Sequence, residues 1–155
     1  MVFKFVKLIF KNDLNETFIK CKIFEKFGDL SLRDFILEDN VYSIHEIKHI
    51  IRQLLHAIDI VHQNGLVHRD IKPGNVIIEK RNSNVRLIDF GLAEFYFPGK
   101  EYNLRIATRP FKPIEVLIHH KKYFQSFDIW GLGNILGCLV GKIKNLISRC
   151  SKKRT

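Results

Sequence analysis

Hydrophobic residues crowd positions 2 to 10 and 17 to 24, two runs rich in Phe, Val and Ile that flank the polar segment Lys11-Asn-Asp-Leu-Asn-Glu16. Apolar runs on either side of turn formers predict a β-hairpin. Gly28-Asp29 breaks the pattern, and Ser31-Leu-Arg-Asp34 has the S-x-x-D spacing that caps a short helix through Leu37. From Ser43 the period lengthens. Ser43 and Glu46 form a capping box, and Ile47, Ile50, Ile51, Leu54, Leu55, Ile58 and Val61 recur at helical spacing up to Gly65. After Gly65 the apolar runs shorten to Leu66-Val67, Val76-Ile-Ile78 and Val85-Arg-Leu-Ile88, with Lys80-Arg-Asn-Ser-Asn84 as a hairpin turn. Residues 91 to 113 show no period and read as a long ordered loop, which in a compact domain is usually functional. Ser126 is the expected cap of a final helix, Phe127 to Val140, apolar around most of its circumference and so expected to be fully buried.

Composition narrows the class. The 155 residues are 46% apolar, which fits a single folded core and argues against disorder. A formal charge of +10 makes an anionic partner plausible without choosing one. Cys21, Cys138 and Cys150 are odd in number and lack a C-x-x-C spacing, which suits a reduced, intracellular setting, cytoplasmic or nuclear. Lys4 and Lys7 interrupt the apolar opening, so no signal peptide is read, and Ile135 to Val140 is far short of the ~20 residues that span a bilayer. No membrane association is expected. No nucleic-acid motif accompanies the positive charge, so nucleic acid is not an expected partner.

The chemistry concentrates in His68-Arg-Asp-Ile-Lys-Pro-Gly-Asn75, followed fourteen residues later by Asp89-Phe-Gly91. A polar hairpin loop could use Asp70, Lys72 or Asn75 singly to satisfy its backbone. Their conjunction with Asp89 favours phosphoryl transfer, which needs a carboxylate to orient a hydroxyl, a cation to meet the phosphate, and oxygen ligands for a hard metal. These segments resemble the catalytic and magnesium-binding loops of protein kinases. Pro113-Ile-Glu115 is similar to the kinase Ala-Pro-Glu motif, and Asp128-Ile-Trp-Gly-Leu-Gly133 to the start of the central helix of the large lobe. A longer run is more specific. Arg86 to Tyr96, then Pro98-Gly99, Glu101-Tyr-Asn103, Arg105, Ala107, Arg109, Phe111-Lys112 and Glu115, resembles the catalytic alpha subunits of the casein kinase II family.

The resemblance implies an α+β kinase-like fold, incomplete at both ends. Residues 1–28 would be a remnant of the small lobe, 29–142 the large lobe through its buried helix, and 143–155 a basic tail. It implies Asp70, Lys72 and Asn75 as catalytic residues, Asn75 and Asp89 as magnesium ligands, and Phe24, Glu25 and Phe27 as a hinge holding the base of ATP or GTP. Phe90 and Gly91 would turn the strand so that Asp89 faces the phosphates, His68 would brace the loop from beneath, and Asp128 would tie it to the buried helix. Arg105, Thr108, Arg109 and Lys112 would bind the substrate, in keeping with six Lys/Arg against two acids between Lys100 and Lys122. Tyr102 and Thr108 are read as exposed hydroxyls, and Arg69, which in many kinases awaits a phosphorylated loop, needs no phosphate in this type. The implied activity is transfer of the terminal phosphate of ATP to Ser/Thr in acidic protein substrates, with the regulatory beta subunit as a further partner. No G-x-G-x-x-G occurs in the 155 residues, and the third-strand lysine and C-helix glutamate find no counterpart. A chain of this length is therefore expected to be a poor kinase alone, and an inactive module binding a regulatory subunit or acidic protein is the alternative.

Overall fold

A computed structural model describes residues 6–10, 19–23, 27–38, 42–104, 106 and 109–141, with backbone alone for 6–10, 19–23 and 109. The expected first hairpin is an antiparallel pair, β1 (Val6–Phe10) and β2 (Ile19–Ile23), in which Leu8 faces Cys21. Its turn lies outside the described residues.

A two-residue strand, β3 (Leu30–Ser31), then leads into helix α1 (Leu32–Leu37), whose cap is Ser31, its hydroxyl accepting from Asp34 N. Helix α2 (Ile44–Gln63) starts on the expected capping box. Ser43 Oγ accepts from Glu46 N, and the Glu46 carboxylate reaches back to Ser43 N at 2.9 Å. The helix ends where Gly65 adopts φ +70°, a left-handed conformation that glycine enters without steric cost. The buried face is Ile47, Ile50, Leu54, Ile58 and Val61, whereas Leu55, expected among them, is 45% exposed. Position 55 falls more than a quarter-turn from the centre of that stripe.

Strands β5 (Val76–Glu79) and β6 (Asn84–Leu87) form the expected hairpin, and β3 adds antiparallel to β5 to give a three-stranded sheet of order β3-β5-β6. Strand β4 (Leu66–Val67) pairs with β7 (Glu94–Phe95), which lies inside the stretch read as loop. That stretch also holds two 3-10 turns, Phe90–Leu92 and Arg109–Phe111. Two-residue strands carry too little periodicity to be read from sequence.

A short helix α3 (Ile114–Leu117) precedes α4 (Ser126–Leu139). Two expectations for α4 are corrected. Ser126 is the first helical residue rather than the cap, and Gln125 in the cap position makes no side-chain capping bond, its Nε2 donating to His62 O at 3.2 Å instead, while the first N–H groups are met by the carbonyls of Phe124 and Gln125. Nor is the helix buried all round. Ile129, Trp130 and Leu136 are 40% exposed or more, because the described elements cover only the face of Phe127, Asp128, Gly131, Leu132, Ile135, Cys138 and Leu139.

One core joins α1, α2, the β3-β5-β6 sheet and α4 through Leu32, Ile36, Ile50, Leu54, Ile58, Val76, Ile78, Leu87 and Ile135. A smaller cluster of Val67, Tyr102, Ile106, Val116, Tyr123 and Phe127 has Tyr96 and Leu104 packed against it. Each fully buried Leu or Ile contributes about 1.5–3 kcal/mol by leaving water. Ile135→Ala, at a fully buried position, is expected to cost about 2–5 kcal/mol in urea unfolding. Ile129→Ala on the opposite face should change stability by about 0.5 kcal/mol or less. Equal effects would contradict the assignment of the buried face.

Candidate active site

The loop that follows β4 is held from below by one carboxylate. Asp128, in the first turn of α4 and fully buried, accepts from His68 N through Oδ2 and from Arg69 N through Oδ1, both at 2.8 Å. His62, near the end of α2, adds its Nε2 to Oδ2 at 2.8 Å. A buried charge is tolerated only when paired and hydrogen-bonded, and here a cross-helix imidazole and two backbone amides share that task. Close packing reinforces it. A Cβ at Gly131 would stand 2.6 Å from Ile71 Cβ and 2.7 Å from its carbonyl oxygen, so α4 approaches the loop as nearly as it does only because this residue is glycine.

Above that anchor, Asp70, Lys72 and Asn75 come together. Asp70 Oδ2 accepts from Lys72 Nζ at 2.6 Å and from Asn75 Nδ2 at 2.8 Å, and Asn75 Nδ2 also donates to Asp70 O at 2.9 Å. Both amide protons of Asn75 are thereby spent, which leaves its Oδ1 as the atom able to meet a cation. Asp70 Oδ1 is the one buried side-chain polar atom without a partner among the described residues. Such an atom ordinarily costs stability.

Asp89 reaches this group by way of the backbone. Ile88 N donates to Asn75 O at 2.9 Å, and His68, fully buried, contacts Ile88 O through Nε2 at 3.2 Å while its Nδ1 accepts from Asp70 N. An imidazole accepting at Nδ1 is neutral, and burial pushes the His68 pKa below its ordinary value against the pull of Asp128 and neighbouring carboxylates. The His68 ring also meets Phe90 edge-on at 4.7 Å. Asp89 itself takes the left-handed conformation, φ +64°, and its Oδ1 accepts from Gly91 N at 3.2 Å. The turn expected of Phe90 and Gly91 is thus made by Asp89. Gly91 instead keeps space clear, since a Cβ there would stand 3.0 Å from Asp89 Oδ1. The Asp89 side chain is exposed and makes no bond to Asp70, Lys72 or Asn75.

The donor set suits magnesium. Among the described residues no three His, Cys, Asp or Glu gather as a metal cluster. An amide oxygen from Asn75 and a carboxylate from Asp89 match the one or two protein oxygens that this hard ion takes beside phosphate oxygens and water.

Arg69 ties the loop to the segment that follows. At φ +67° and 7% exposed, it donates from Nε to Leu92 O at 2.6 Å, pairs with Glu94 at 2.6 Å and contacts Tyr123 Oη at 3.3 Å. Glu94 also pairs with Lys100 at 2.8 Å. Burial raises the Glu94 pKa, but the Lys100 hydrogen bond and the charges of Arg69 and Lys100 together hold it below the usual carboxylate value. Sequence reading missed this partner of Arg69, because nothing in local pattern links residues 69 and 94. It also missed His62.

The expected substrate residues fare differently. Arg105 and Thr108 lie outside the described residues, and Arg109 is described only as backbone of a 3-10 turn. Lys112 is half-buried and donates from Nζ to Leu104 O at 2.8 Å, so it fastens its own segment. Lys100 and Lys121 are neutralised by Glu94 and Glu101. Tyr102, expected to be exposed, is 6% exposed, its hydroxyl engaging Phe97 N at 2.6 Å and the carbonyls of Phe95 and Phe97. At the hinge, Phe24 and Glu25 lie outside the described residues, while Phe27 is half-buried with the Arg86 guanidinium 4.2 Å above its ring. Glu115 has no ion pair among the described residues and borders a cleft of about 700 Å³ with Trp130 and Ile129.

Two outcomes follow. Asp128→Ala should lose at least about 3 kcal/mol in urea unfolding, since two buried backbone amides and His62 lose their acceptor together. A loss under about 1 kcal/mol would mean that the amides find other partners. For His68 the folded pKa lies below the unfolded one, near 6.5, so its contribution is complete above that pH and is lost as acidification charges the unfolded chain first. Melting temperature should therefore fall between about pH 7.5 and about pH 5.5, and fall less in His68→Phe. An undiminished drop in that variant would assign the effect to other groups.

The comparison with protein families accords with this geometry. The family model described as protein kinase domain matches residues 10–153, nearly the whole chain. Members of that family are phosphotransferases that use ATP and magnesium. The α+β arrangement seen here, small sheets followed by helices around a buried catalytic loop, is consistent with an incomplete kinase-like fold, and the chain belongs to the protein kinase domain family.

Proposed function

We propose that the chain is the catalytic-loop portion of a serine/threonine kinase of casein kinase II alpha type, acting on hydroxyls in acidic protein sequences. One observation carries the reading. Asp70 has one oxygen fixed by Lys72 and Asn75 and the other buried and unpartnered, which is the state of a carboxylate ready to accept a hydrogen bond from an incoming hydroxyl. In this role Asp70 orients the hydroxyl and takes its proton. Lys72 pairs with Asp70 at 2.6 Å, and its ammonium would meet the oxygens of a transferring phosphate. Asn75 Oδ1 and Asp89 would hold magnesium, which when bound neutralises phosphate oxygens.

The casein kinase II assignment rests on the run from Arg86 to Lys112, and the preference for acidic sequences on Arg105 and Arg109, since guanidinium groups pair with carboxylates in bidentate fashion. The regulatory beta subunit and residues 1–28 as its docking remnant belong to the same proposal. A second reading, an inactive module that binds acidic protein, draws on the absence of a G-x-G-x-x-G motif from the 155 residues.

Transfer from radiolabelled ATP to a serine peptide rich in Asp and Glu tests both. Activity that falls at least about 100-fold in Asp70→Ala supports catalysis by this loop. Peptide binding by calorimetry with no transfer above background supports the binding module, and transfer unchanged in Asp70→Ala would remove Asp70 from the mechanism.

A further inference from the structure

We infer that the solvent face of α2, with the adjoining β5–β6 turn, is a docking surface for an acidic polypeptide segment that carries apolar residues among its carboxylates. This goes beyond the kinase reading, because the surface contains none of the catalytic or substrate residues.

Over its first three turns α2 presents His45, Lys48, His49, Arg52 and His56 outward, and the one acid of that stretch, Glu46, is bound to its own cap at Ser43. The β5–β6 turn is fastened alongside. Gln53 Nε2 donates to Ser83 O at 3.1 Å, Val85 N donates to Gln53 Oε1 at 3.0 Å, and His49 Nε2 lies 3.4 Å from Asn84 Oδ1. The turn so fastened carries exposed Arg81, while Lys80 is occupied by Glu38 at 2.7 Å. Asp59, the next acid along the face, accepts from Gln63 at 2.7 Å.

Lys100 and Lys121, by contrast, already have carboxylate partners. Lys48, Arg52 and Arg81 have none among the described residues, so their charge remains available to an outside anion. Apolar side chains flank the stripe: Ile44 is 58%, Leu55 45% and Ile60 47% exposed. A row of cations between exposed aliphatics complements a segment in which carboxylates alternate with apolar residues, the apolar contacts adding affinity to electrostatic steering. No Phe, Tyr or Trp occurs between residues 44 and 63, so the stacking platform by which single-stranded nucleic acids are held is missing.

The test uses the full chain and a fluorescein-labelled helical peptide of Glu and Leu, free of Ser, Thr and Tyr, followed by fluorescence anisotropy at about 50 mM salt. Binding is expected, weakened at least about tenfold in Lys48→Glu/Arg52→Glu and severalfold in Leu55→Ser, but unchanged in Lys121→Ala/Lys122→Ala. The doubly reversed variant should gain binding to the matching Lys–Leu peptide, which shows that it is folded. Binding that survives Lys48→Glu/Arg52→Glu, loss without gain for the reversed peptide, or loss in Lys121→Ala/Lys122→Ala overturns the proposal. So does equal binding of an oligonucleotide of the same charge.

Discussion

A single fully buried carboxylate, Asp128, fixes the geometry on which the site depends. It binds consecutive amides at residues 68 and 69, so the chain entering the catalytic loop cannot slide or rotate without uncovering a charge in the interior. Because Asp128 lies on α4, and α4 packs through Ile135 and Leu132 against the same core as α2 and the three-stranded sheet, the loop inherits the rigidity of the whole core. His62 extends the bond network to α2. Three separate stretches of sequence therefore agree on where Asp70 stands.

The cations near the site divide into two kinds. Arg69 and Lys100 converge on Glu94, and with the Arg69 bond to Leu92 O they join the catalytic loop to β7 and the residues beyond. This is a structural use of charge: a largely buried guanidinium needs several acceptors, and it obtains them from a carboxylate, a carbonyl and a phenol. The carboxylate of Glu94 occupies Arg69 without any phosphate. Lys72 instead pairs within the loop itself, with Asp70 at 2.6 Å. A high net positive charge therefore says little by itself. What matters is which cations the fold has already neutralised.

Much of this was legible because the informative signals were local. The Ser43–Glu46 box and the spacing from Ile47 to Val61 specify α2, and the run from His68 to Asn75 with Asp89 carries the resemblance to the protein kinase domain family that the family model matches. The misses share a different cause. Leu55 fits the helical period loosely but sits off the buried stripe, and Tyr102 looks like a loop hydroxyl although the cluster of Tyr123 and Phe127 encloses it. Strands β4 and β7, each two residues long, exist only through their mutual pairing. The Arg69–Glu94 pair joins residues brought together by that pairing, so it follows from tertiary structure and has no local signature. The charge of Lys112 is visible in the sequence, whereas the carbonyl of Leu104 that captures it is a tertiary partner with no local signature.

Two non-glycine residues in the left-handed region bracket the site, Arg69 and Asp89, and both are locked by bonds on either side. Left-handed backbone costs most residues about 1–3 kcal/mol and persists only where the surroundings over-determine it. At Arg69 the determinants are the Asp128 bond to its amide and the three contacts of its side chain. At Asp89 they are the Ile88 N to Asn75 O bond just before it and its own carboxylate accepting from Gly91 N just after. Placed as they are, Asp70 and Asp89 extend from two different strand ends that His68 joins, its ring touching Phe90 and its nitrogens touching both backbones. The neutral, buried His68 thus ties the two loops together, and burial favours its neutral form.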